Sequence, residues 1–130
     1  MPVTLNLETD MVLWSAVLFA LTALGGLALA AIHFRGGGRE PPPTALALVH
    51  GLVAATALVL LVIGALNAGA GSPALPWISI AVFVAAALGG AYMFLGKHLR
   101  GEPLPGKVVV LHGVLAVAGF ALLLAFLLGA

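Results

Sequence analysis

Residues 44–66 read TALALVHGLVAATALVLLVIGAL, and the only side chains in that run able to hydrogen-bond are Thr44, His50 and Thr56. A helix rises about 1.5 Å per residue, so roughly 20 such residues cross a hydrocarbon core about 30 Å thick. Three more runs of similar character occupy residues 11–32, 76–96 and 107–130. The reading is an all-α membrane protein: a four-transmembrane-helix bundle, one membrane domain over residues 1–130.

Composition supports it. The 130 residues are 63% hydrophobic and 7% charged, with mean hydropathy +1.26. A soluble domain carries roughly 25% charged residues, so the lipid bilayer is the expected solvent and first partner. The net charge of +1 gives no basic patch for nucleic acid. Cysteine is absent, which excludes disulfides, thiolate metal sites and covalent CxxCH haem attachment. The first run is too long for a signal-peptide core. Glu8 and Asp10 precede it in place of Lys or Arg, so the leader is expected to be retained.

All five positive residues lie in or beside two connections. Arg35 and Arg39 flank the first, and Lys97, Arg100 and Lys107 the third. The positive-inside rule then places both connections in the cytoplasm and both termini outside.

Working outward from His50, the chain repeats itself. HFRG at His33 to Gly36, Pro43 and VHG at Val49 to Gly51 have counterparts in HLRG at His98 to Gly101, Pro105 and LHG at Leu111 to Gly113. Trp14, Phe19 and LGG at Leu24 to Gly26 correspond to Trp77, Phe83 and LGG at Leu88 to Gly90. The second copy has one extra residue between Trp77 and Phe83 and another between Gly90 and His98. The repeats, about 11–66 and 76–130, are two parallel helical hairpins related by a pseudo-twofold axis along the membrane normal. A group held equally by both would lie near that axis.

Each inner histidine follows its proline by seven residues, about 10 Å of helix if the proline opens the first turn. His50 and His112 are therefore expected inside the hydrocarbon. His33 and His98 are expected at the helix ends, snorkelling to the interface or complementing the helix dipole. A membrane-embedded histidine is costly and points to function. The first expectation is haem b with His50 and His112 as axial ligands. Ala54 and Ala57, with Ala116 and Gly119, share the histidines' helical faces and would leave room for a macrocycle. Arg35 and Arg100, with Lys107, would face the propionates.

Plainer readings apply to the same residues. Small residues also serve close helix packing, the arginines also serve as membrane anchors, and the inner histidines also serve as interhelical hydrogen bonds. A metal held by all four histidines is a further alternative, though the pairs are offset by about 10 Å. A second haem on His33 and His98 is the weaker extension. The glycine pairs at Gly25 and Gly89 offer a homodimer seam. No phosphate loop, catalytic triad or midplane carboxylate is present; Glu40 and Glu102 lie in connections. Tyr92 and Thr56 are expected to be the main polar groups deep in the bundle. No catalytic residue is assigned.

The HxRG–P–HG layout, clearest over His98 to Phe120, resembles a group of small, poorly characterised bacterial inner-membrane proteins that bring no established activity. More loosely, it is similar to four-helix membrane cytochromes b, where histidines on separate helices clamp haem. That similarity implies electron transfer, with quinone or a larger respiratory or photosynthetic complex as partner, and His50 and His112 are the matching positions. The histidines all lie near one face, unlike the usual di-haem pattern. A cofactor-free assembly subunit and a haem-handling protein are the competing functions.

Overall fold

The structure, a computed structural model, describes residues 6–130. The expected retention of the leader concerns residues that include 1–5, outside the described ones. Four helices follow in order: α1 (Leu7–Arg35), α2 (Thr44–Asn67), α3 (Ala74–Gly96) and α4 (Gly106–Leu127). A single 3-10 turn, His98–Arg100, stands between α3 and α4. All four helices are long and apolar enough to cross a membrane.

The helix starts follow from proline. Pro43, Pro73 and Pro105 each occupy the position just before a helix, where a missing N–H costs nothing. α2 and α4 thus begin at Thr44 and Gly106, one residue later than a proline inside the first turn would give. The ends follow from glycine. Gly37 and Gly38 take φ of 71° and 68° after α1, and Gly101 takes 66° after the 3-10 turn. That left-handed backbone is open to glycine at little steric cost.

Contact between helices is concentrated within the hairpins α1–α2 and α3–α4. The hairpins meet more thinly, through α1 with α4 and α2 with α3. Large apolar side chains cover the outside: Leu24, Leu27, Leu88 and Val117 are all about two-thirds exposed. Helices that are apolar all round require a lipid surrounding, and the chain is a multi-pass membrane protein.

The core fills the half of the bundle away from the basic connections. It comprises Val12, Ala16 and Phe19 of α1, Ala57, Leu61 and Ala65 of α2, Ile80 and Phe83 of α3, and Leu123 of α4. At its centre the rings of Phe19 and Phe83 stack with centroids 3.7 Å apart and planes within 3°. Equivalent residues of the two hairpins thus meet each other, as they do when a twofold axis passes between them.

The extra residue before His98 has a visible consequence. One added residue rotates everything after it by about 100° in a continuous helix. α3 instead stops at Gly96, Lys97 leaves helical geometry at φ −126° and ψ −59°, and the 3-10 turn carries His98. His98 is 6% exposed, beside 3% for His33 in the uninterrupted α1. The break returns the histidine to the buried side.

Candidate functional site

Below the Phe19–Phe83 layer, toward the basic end, two imidazoles face one another. His50 of α2 and His112 of α4 have ring centroids 6.1 Å apart and planes inclined at 69°. Each is anchored to the first helix of its own hairpin. His50 Nδ1 donates to the carbonyl of Thr22 at 3.0 Å, and His112 Nδ1 donates to that of Ala86 at 2.7 Å. These acceptors are equivalent, three residues beyond Phe19 and Phe83. A carbonyl only accepts, so Nδ1 carries the proton, and the neutral ring keeps a lone pair on Nε2. Neither Nε2 has a protein partner among the described residues.

The rings rest on the LGG motifs. A Cβ added at Gly26 would lie 2.9 Å from His50 Cε1, and one added at Gly90 would lie 3.2 Å from His112 Cε1. Gly25 and Gly89 border the same rings at 3.7 Å and 3.9 Å. The space beside these glycines, expected to offer a homodimer seam, is occupied by the chain's own histidines.

His33 and His98 also differ from expectation. They do not snorkel: both are buried, whereas His50 and His112 are only half-buried. His98 Nε2 lies 2.9 Å from Thr44 Oγ1 and ties the end of α3 to the start of α2. His33 Nδ1 is buried without a partner. The residue equivalent to Thr44 in the second repeat is Gly106, which has no hydroxyl to offer. His98 Nε2, engaged by Thr44, is not open to a second haem iron. No three metal-ligating side chains come together among the described residues, so a four-histidine metal centre does not form either.

The remaining expected site residues divide. Arg35, Arg100 and Lys107 are exposed at the basic end. Ala54 and Ala116 are half-buried, one turn beyond the histidines. Ala57 belongs to the core, at 0% exposure. Gly119 is corrected as a cofactor-facing position: a Cβ there would lie 3.1 Å from the Phe83 ring, and its carbonyl accepts Ser79 Oγ at 2.8 Å. Spacing places Gly119 on the histidine's face, but two turns away, where α3 supplies the neighbour.

Two buried serines were missed. Ser15 and Ser79 are both 0% exposed, each four residues before its phenylalanine. Their matched spacing was the available signal. Ser79 bonds Gly119, while Ser15 Oγ has no partner. The counterpart of Gly119 is Ala57, whose methyl stands where the second repeat has none. Tyr92 is not deep but half exposed, and Thr56 Oγ1 bonds Leu52 of its own helix at 2.9 Å.

The inner pair fits one shared metal in its donor chemistry. Two imidazoles on one ion, each with metal–nitrogen of about 2 Å, place ring centroids roughly 6 Å apart. A ligating histidine ordinarily donates its other N–H to a carbonyl or carboxylate, as both do here. A cavity at the end away from the basic connections and an open face of α4 lie elsewhere, and no histidine lines either. No family model, curated protein or solved structure matches the chain.

Proposed function

We propose that the chain is a small membrane cytochrome of the b type, holding one haem between His50 and His112 near its basic end. The observation that carries this reading is the matched pair of imidazoles. Both are fixed through Nδ1 to equivalent carbonyls, and both keep Nε2 without a protein partner. Haem would supply one-electron chemistry. The chain's own part is to hold the ligand tautomer, exclude water and lend positive charge from Arg35, Arg100 and Lys107 to the propionates. Electron exchange would take place at the basic end with quinone or with a larger respiratory or photosynthetic complex. The proposed setting is a bacterial inner membrane, with the basic connections in the cytoplasm and both termini outside.

The second reading is a cofactor-free structural subunit. It is favoured by the fact that the His50 and His112 bonds each join two helices of one hairpin, as interhelical polar bonds do in membranes. The visible spectrum separates the two. Protein purified from haem-sufficient cells should show a Soret band, with a sharp α band after dithionite. A colourless protein supports the structural subunit, and a metal assay on that sample tests a His-bound ion without porphyrin.

A further inference from the structure

We infer that Gly26 and Gly90 are positioning residues that set the rotation of the His50 and His112 rings, and with it the angle between their planes. The spectroscopic arm rests on the haem reading above; the geometric argument does not.

Glycine is a poor helix former, and two adjacent glycines within α1 and again within α3 need a packing reason. Close approach of two helix backbones is the usual one in membranes. It applies to the outer glycine of each pair, where a Cβ at Gly25 or Gly89 would stand 3.9 Å from the histidine's own Cβ, and not to Gly26 or Gly90. Every atom that a Cβ would meet within 4 Å at Gly25, Gly89 and Gly90 belongs to a histidine side chain, as do the three nearest at Gly26. Gly26 and Gly90 make room for a ring, and Gly25 and Gly89 for the helix that carries it.

Each ring then has two constraints. Nδ1 is held by the carbonyl at Thr22 or Ala86. Cε1, the adjacent ring atom, lies against the glycine one turn later, where a Cβ would stand 2.9 Å away at Gly26 and 3.2 Å at Gly90. Those two points leave the ring little freedom to turn about its bond to Cβ. A methyl group at position 26 must push Cε1 away, and that motion pulls Nδ1 off the Thr22 carbonyl. A methyl group at position 25 meets Nδ1 at 3.7 Å, ordinary contact, and requires no motion. The seats thus hold the 69° inclination of the two planes. In a ferric bis-imidazole centre that inclination governs the anisotropy of the low-spin electron paramagnetic resonance signal.

The test compares Gly26→Ala with Gly25→Ala in the full chain. Nitrogen NMR of histidine-labelled protein without haem reads the Nδ1 hydrogen bond of each ring. Gly26→Ala should alter the His50 resonances and leave those of His112 in place, while Gly25→Ala should alter neither. In haem-loaded protein, Gly26→Ala should shift the largest g value, and Gly25→Ala should not. If Gly26→Ala does not fold, Gly90→Ala, with the looser contact, should move the His112 resonances alone. Equal behaviour of the 25 and 26 variants, or no His112 change in Gly90→Ala, overturns the proposal. A chain that holds no haem overturns the cytochrome reading, and the NMR comparison still decides the seats.

Discussion

His50 and His112 differ from His33 and His98 in what their ring nitrogens touch, and that difference assigns their roles. The inner pair spends one nitrogen on a helix carbonyl and leaves the other unengaged. His98 instead spends Nε2 on Thr44. His50→Ala or His112→Ala is therefore expected to abolish haem binding, and His33→Ala to leave most of it, as read by the reduced spectrum. Equal loss at all four histidines would mean a different ligand set. Thr44→Val keeps shape but strands the His98 nitrogen; it should lower stability by about 0.5–1.5 kcal/mol in a detergent unfolding titration, without changing the spectrum. Gly119→Ala presses a methyl against Phe83, whose other face is covered by Phe19. Overpacking of that kind costs about 1–3 kcal/mol, and a thermal unfolding midpoint equal to the parent's would contradict it. At this scale the inner pair was legible in the sequence, because repeat register alone links His50 with His112. The burial of His33 and His98 was not, since helix-end position does not say which neighbour closes over the end. Nor was the role of Gly119: spacing assigns it a helix face but not the ring that α3 places there.

Among the elements, the break between α3 and α4 shows how a repeat absorbs an insertion. The 3-10 turn at His98–Arg100 stands where α1 runs on unbroken to Arg35. Deleting Lys97 restores the seven-residue spacing found between Gly26 and His33. The expected product folds, keeps its spectrum, and protects the amides after His98 more strongly against hydrogen exchange; a chain that unfolds would show that the turn is required. Lys97 also bonds Glu102 across this turn at 2.7 Å. That hydrogen bond, and then the lysine charge, hold the Glu102 carboxyl below the usual carboxylate range. The sign follows: the contact contributes above the ordinary carboxylate pKa and is lost as pH falls through the lowered value. Lys97→Met should return Glu102 to ordinary titration in a carbon NMR experiment. Helix number and approximate limits were legible here because they depend on hydropathy and proline. The 3-10 turn was not: the sequence shows an extra residue but not how the backbone accommodates it.

Over the whole molecule, the apolar core and the inner histidine pair occupy opposite halves of the bundle. Phe19, Phe83, Leu61 and Leu123 belong to an apolar cluster in the half away from the basic connections, and no titratable side chain is part of that cluster. Proteoliposomes containing the protein should hold a proton gradient as well as protein-free vesicles do; rapid dissipation would contradict this packing. The histidine pair lies in the other half, one ring from each hairpin, where a shared ligand would contact both. On the proposed reading, such a protein would exchange electrons at one face and not relay them across. The most direct measurement is a haem titration of purified protein lacking cofactor, followed by the Soret band in the parent and in His50→Ala/His112→Ala. The account predicts saturation at one haem per chain in the parent and no saturable binding in the double variant. Failure of the parent to bind, or equal binding by the double variant, would contradict it.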